Sequence, residues 1–208
     1  TRSHNTIRID GMDQCARASW KWREDMLYKK APLSFSTTAA RDFVRGEYAD
    51  GFGPEMLKLA RQLREIEYEK PDLFRITDTA QSTDGREHAY ELLFHVDTTN
   101  VTVAADGRSA TADYGRGRKW KLHLAVAEGG TISLASGQKG PRLSGWFVGR
   151  NDLTTHPATT ISVKAAKAVP DHTFVTTLKP IRTSISASIL NRPTVSPITL
   201  PLTPIHYV

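Results

Sequence analysis

From Thr6 to about Pro180 this 208-residue chain breaks into short runs rich in Val, Ile, Thr and aromatic residues, each stopped by turn chemistry. That rhythm restricts the fold more than any other feature, because runs of this length suit strands and are too short for helices. Thr6 to Ile9 stops at Asp10-Gly11, and Val101 to Ala104 stops before Asp106-Gly107. Leu33 to Thr37, Glu91 to Val96, Thr131 to Leu134, Thr160 to Val163 and His172 to Leu178 are further runs. Between Trp120 and Val126, Trp120, Leu122, Leu124 and Val126 alternate with Lys121 and His123, which predicts one buried and one wet face. Asp-Gly and Gly-Gly pairs, as at Gly129-Gly130, suit tight antiparallel turns. With no strand–helix–strand rhythm, the expectation is an all-β fold: an antiparallel multi-stranded β-sandwich with few or no helices.

One stretch opposes this. Met56, Leu57, Leu59, Ala60, Leu63 and Ile66 recur at helical spacing among Leu, Arg, Glu and Lys, so local propensity predicts a helix over Glu55–Glu67. A strand there puts Arg64 beside Ile66 on one face, a poorer pattern. Beyond Ile181 the character changes again. Pro193, Pro197, Pro201 and Pro204 stand among Ser and Thr with few charges, so 183–208 is expected to be a Pro/Ser/Thr-rich extension of a domain spanning 1–182.

A net charge of +6 attracts polyanions, but acids are interspersed with the bases, as from Arg61 to Lys70, and no nucleic-acid-binding pattern accompanies them. An acidic polysaccharide is an equally good polyanion, and a solvated basic surface needs no partner at all. One cysteine, Cys15, excludes an internal disulfide framework. No apolar run approaches membrane-spanning length. Nucleophile-elbow, phosphate-loop and His-Glu-x-x-His patterns are lacking. The opening residues read as mid-domain sequence entering a strand, so a fragment, truncated at its N-terminus, is expected.

Several phrases, in order, resemble the C-terminal β-sandwich of heparinase II/III-like polysaccharide lyases. They are Arg2-Ser-His-Asn-Thr-Ile-Arg-Ile-Asp-Gly-Met-Asp-Gln14; Arg64 through Asp78, containing Lys70-Pro-Asp-Leu-Phe74; and His88-Ala-Tyr-Glu-Leu-Leu-Phe-His95. Gly140-Pro-Arg-Leu-Ser-Gly-Trp-Phe147, His156-Pro-Ala-Thr-Thr160 and His172-Thr-Phe-Val-Thr-Thr-Leu-Lys-Pro180 complete the set. The resemblance covers about residues 1–182. It implies a strand from about Lys58, against the local helical signal. It also implies an α/α-toroid that precedes the sandwich and is missing here, a periplasmic or secreted bacterial protein, and β-elimination on uronic-acid-containing glycans.

In that chemistry the uronate carboxylate is neutralised, a Tyr or His removes the C5 proton, and a Tyr or His protonates the leaving oxygen. The toroid supplies most of these groups, so the chain alone is expected to be inactive, with no catalytic residue of its own. The resemblance makes His4 a zinc ligand in the intact protein, completed by a His and an Asp upstream. Its plain alternative is a packed or hydrogen-bonded histidine. Arg2 and Asn5 flank His4 and are candidate substrate contacts or strand-end polar groups. Trp20 and Trp22, two apart beside Lys21 and Arg23, form either a sugar platform or a packed face. Trp146 reads as structural, and the remaining histidines as packing or hydrogen-bonding residues. A non-catalytic carbohydrate-binding or scaffolding sandwich is the competing class.

Overall fold

The computed structural model describes residues 4–14, 32–115, 120–149 and 154–182. Among them there is no helix. Fourteen strands form three antiparallel sheets. A four-stranded sheet runs β1 (Ile7–Ile9), β6 (Tyr90–Val96), β13 (Thr159–Lys164) and β10 (Thr131–Ser136). An eight-stranded sheet runs β2 (Leu33–Thr37), β3 (Arg41–Tyr48), β4 (Ala60–Glu69), β5 (Leu73–Ser82), β14 (Asp171–Arg182), β9 (Trp120–Glu128), β8 (Ser109–Ala112) and β7 (Val101–Val103). A small ribbon pairs β11 (Trp146–Val148) with β12 (Thr155–Pro157).

The two larger sheets close one core. Ile7, Ile9, Tyr90, Leu92, Phe94, Ile161 and Val163 come from the small sheet. Ile76, Ala80, Leu124, Val126 and Phe174 meet them from the large one. Alternation carries most of this: in β6, Tyr90, Leu92, Phe94 and Val96 face the core while Glu91 and His95 stay partly open, and Leu93 is buried on the opposite face. Each buried large side chain contributes about 1.5–3 kcal/mol.

The conflict over Glu55–Glu67 resolves as strand from Ala60 onward, close to the start near Lys58 that the resemblance implies, with residues 55–56 in a turn. In β4, Gln62, Arg64, Ile66 and Tyr68 share one face and Leu63, Glu65, Glu67 and Glu69 the other. Ile66 lies between Val44 and Ile76 on the neighbouring strands. The acidic residues that favour a helix locally stand instead near arginines of flanking strands, with Arg45–Glu65 at 3.8 Å, Arg41–Glu67 at 3.6 Å and Arg75–Glu69 at 3.9 Å. Such exposed cross-strand pairs contribute little singly, yet they suit a solvent-facing sheet.

Gly129-Gly130 is not a hairpin turn. It passes the chain from β9 in the large sheet to β10 in the small one. A Cβ on Gly129 would lie 2.4 Å from the Thr173 carbonyl oxygen, and one on Gly130 2.2 Å from that of Lys164, so only glycines fit this corner. Asp106-Gly107 does close a hairpin, between β7 and β8.

Candidate functional site

β1 begins just after His4 and Asn5, and a buried polar network fixes its position. Asn5 Oδ1 accepts the His95 backbone N–H at 2.8 Å and lies 3.1 Å from His95 Nδ1. Its backbone carbonyl accepts from Arg64 Nη1. Arg64 in turn grips Asp78 with two hydrogen bonds, Nε to Oδ1 at 2.7 Å and Nη2 to Oδ2 at 3.0 Å. Gln62 Nε2 donates to the same carboxylate at 2.7 Å, and Gln62 Oε1 accepts from Thr6 Oγ1 and Gln14 Nε2. The Asp78 side chain is fully buried. A charge so placed persists only when paired and hydrogen-bonded. Arg64, Gln62 and Asp78 thus tether the His4–Asn5 segment to the large sheet, and Asn5 acts through its hydrogen bonds to His95 and Arg64.

His4 is exposed. Among the described residues no group of three His, Cys, Asp or Glu side chains could hold a metal ion. A zinc site using His4 therefore needs donors from outside them. Arg2, Trp20 and Trp22 lie outside the described residues.

A second cluster clamps the other end of β1. His88 is buried, with Nδ1 2.7 Å from Asp10 Oδ2 and Nε2 2.9 Å from Asp84 Oδ1. Burial disfavours the imidazolium, but the hydrogen bonds to Asp10 and Asp84 outweigh it and raise the His88 pKa. His88 in turn holds the Asp84 carboxyl down at about 2, helped by the Arg86 backbone N–H. Burial, reinforced by Asp171, Asp10 and Asp84, pushes the Tyr90 hydroxyl up to about 12. That hydroxyl donates to the Pro170 carbonyl at 2.6 Å. With both ring nitrogens of His88 engaged, this cluster is built for holding the turn rather than for proton transfer.

One cavity of about 530 Å³ lies on the large sheet beside Trp120, Leu122 and Pro180, and further open space lies on the outer face of the small sheet. Two cavities, of about 510 and 470 Å³, share Leu143, Ser144 and Thr160 in their linings and so form one groove. Its wall is the loop 137–145, tied back on itself by Gly137 N–H to the Gly145 carbonyl at 2.8 Å and by the Gln138–Ser144 backbone pair. Gly145 N–H also reaches Thr160 Oγ1 at 3.0 Å. A Cβ on Gly145 would sit 2.2 Å from the Ala135 carbonyl oxygen, so the wall rides directly on β10. The Trp146 indole N–H donates to the Gln138 carbonyl at 2.9 Å, and Lys139 Nζ stands 5.7 Å from the indole centroid. Trp146 thus has the structural bond expected of it and also faces a cavity. Sequence reasoning singled out neither Lys139 nor Arg142; the one available signal was their position flanking Gly140-Pro141 just before Trp146.

The family model described as "Heparinase II/III-like, C-terminal" matches residues 1–186. The chain belongs to that family. Solved structures agree with the heparinase II/III-like fold. A mutant of the heparan sulfate lyase HepC from Pedobacter heparinus superposes with a TM-score of 0.58 at 14% identity, covering 88% of this chain and 24% of that one. A heparinase III gene product gives a TM-score of 0.64 at 12% identity, covering 89% and 25%. Another heparinase III gives 0.60 at 15% identity, covering 88% and 24%. At such identities the likeness establishes the fold alone. This heparinase II/III-like domain spans about a quarter of the length of those structures. No curated protein matches it significantly.

Proposed function

We propose that this domain is the sandwich portion of a polysaccharide lyase that cleaves uronic-acid-containing glycans by β-elimination. The family match over residues 1–186 carries the reading. The fold shared with lyases four times the length supports it. In this reading an α/α-toroid elsewhere in the intact protein supplies the groups that neutralise the uronate carboxylate, remove the C5 proton and protonate the leaving oxygen. The sandwich walls one side of the cleft. Its boundary falls near residue 182, with the Pro-rich segment 183–208 as an extension.

His4 is proposed as one ligand of a zinc ion in the intact protein, completed by donors outside the described residues. Zinc bound there would supply structural rigidity to the loop entering β1. The residues in hand place that loop: Arg64 and His95 hold Asn5, which leaves the adjacent imidazole exposed at the strand start. Periplasmic or secreted location and an acidic polysaccharide as substrate belong to the same reading.

The decisive experiment follows ultraviolet absorbance of unsaturated uronate product when the intact protein meets heparan-type, alginate and ulvan-type chains. Product with at least one is expected, and none from the 208-residue chain alone. Absence of product with every uronate polymer overturns the lyase reading, and cleavage by the 208-residue chain overturns the division of roles. For the metal, elemental analysis of the intact protein should find zinc that His4→Ala removes; unchanged zinc content in that variant rejects the ligand assignment.

A further inference from the structure

We propose that the groove on the outer face of the four-stranded sheet is a binding site for an anionic glycan chain, with Lys139, Arg142 and Lys164 as the anion contacts. The ligand class rests on the lyase reading; the location does not.

Shape comes first. The two joined cavities lie within the size range of small-ligand sites. The groove is preformed, since the wall loop is fixed by its own backbone bonds and by the contact of Gly145 with β10. A preformed groove avoids ordering its wall when a chain enters.

Charge gives the ligand its sign. Four cations, Arg8, Lys139, Arg142 and Lys164, line the two cavities against one carboxylate, Glu91. Arg8 is the internally compensated one, bonded to Asp13 at 2.9 Å and to Glu91 at 2.7 Å. Lys164 stands 3.8 Å from Glu91 and is mostly exposed, so it keeps much of its reach. Lys139 is held at the Trp146 ring, and Arg142 projects from the exposed loop. The excess is therefore spread along the groove, with Lys139 at its Trp146 end and Lys164 at its Glu91 end.

The floor indicates a sugar. Ser133 pairs across the sheet with Ser162, and Ala135 with Thr160, so small and hydroxylated side chains pave part of the groove, beside Leu93 and Leu134. Hydroxyls both donate and accept, which matches sugar hydroxyls. Leu143 and Trp146 line the neighbouring cavity and offer apolar surface to the C–H faces of a pyranose ring. Apolar surface, hydroxyls and cations spaced along one groove together match a carboxylated or sulfated glycan.

The test is calorimetric titration of the 208-residue chain with size-defined heparin-type and alginate oligosaccharides. A neutral cello-oligosaccharide and a single-stranded oligonucleotide of similar charge serve as comparisons. An acidic oligosaccharide should bind, the neutral one should not, and the double variant Lys139→Ser/Arg142→Ser should weaken binding at least tenfold. Trp146→Leu should also weaken it. Arg41→Ser/Arg45→Ser removes equal charge from the large sheet and should leave affinity within twofold. Melting curves for every variant identify any that are misfolded, and Lys164→Ser, at a mostly exposed side chain, repeats the test independently. The proposal is overturned by no binding of either acidic oligosaccharide, by equal losses from the two double variants, or by tighter binding of the oligonucleotide. Lyase activity in the intact protein alongside unchanged binding in Lys139→Ser/Arg142→Ser would reject the groove and leave the lyase reading standing. Glycan binding without any lyase product would do the reverse.

Discussion

The two sheets of the sandwich are assembled in opposite ways. In the large sheet most neighbours follow one another in sequence, β2 to β5 on one side and β7 to β9 on the other, with β14 joining the two groups. In the small sheet no neighbours are consecutive: β1, β6, β13 and β10 come from four distant parts of the chain. Hairpin neighbours need only a turn, whereas β1 pairs with β6 across a loop of some eighty residues, as the Arg8–Glu91 bond shows. The small sheet therefore depends on its core side chains and on polar ties to the large sheet. It also carries the His4 segment and the groove, so the candidate functional surface sits on the part of the fold that is least local.

The contrast can be broken most directly by truncating one leucine in each sheet. Leu92 is fully buried at the centre of the small sheet, while Leu33 on the large sheet's edge strand is 69% exposed. Leu92→Ala should lower unfolding stability by about 3–5 kcal/mol. Leu33→Ala should change it by no more than about 0.5 kcal/mol. Urea denaturation measures both, and similar losses would mean that the small sheet is not the more dependent one.

The tie between the sheets should show the next largest effect. Asp78→Ala strands Arg64 and Gln62 without their shared acceptor, and about 2–3 kcal/mol is expected, below the fully buried case because Arg64 is 24% exposed. The same variant should speed amide exchange at His95, whose N–H is held by Asn5. Unchanged exchange there would disconnect the Asp78 network from the His4–Asn5 segment.

The smallest effect is a pH step from the His88 clamp. Because the folded His88 pKa is raised, its stabilising contribution is complete below the ordinary value of about 6.5 and is lost as pH rises through the folded value. Asp84 runs the other way: its contribution is present above 3.8 and fades as pH falls towards about 2. Urea midpoints of the native chain should thus decline from mildly acidic to alkaline pH, and His88→Gln should flatten that decline. A decline of equal size in the variant would assign the step to other groups.

Much of the large sheet was legible in the sequence, and β4 shows where legibility ended. Its Arg64 breaks the expected apolar alternation only because Asp78, fourteen residues on, awaits it on the same inner face. Nothing within the window from Glu55 to Glu67 contains that information, so local propensity pointed to a helix. The Gly129-Gly130 pair misled in a related way, since the same two residues serve a hairpin or a corner between sheets. At the candidate site, the His4–Asn5 pair stood out by resemblance alone. Lys139, Arg142 and Lys164 are ordinary surface cations in sequence, and only pairing of β10 with β13 brings them to the two adjoining cavities of one groove.

By itself the sequence determined an antiparallel all-β sandwich and the family, because strand alternation, turn residues and ordered phrases are local properties. The family resemblance already implied the β4 strand against local propensity, whereas tertiary structure alone decided that β1 is held by a buried Arg64–Asp78 pair and which cations share a face. Those outcomes depend on residues far apart in the chain meeting in a low-dielectric interior or on one sheet surface, where pairing and burial outweigh local preference.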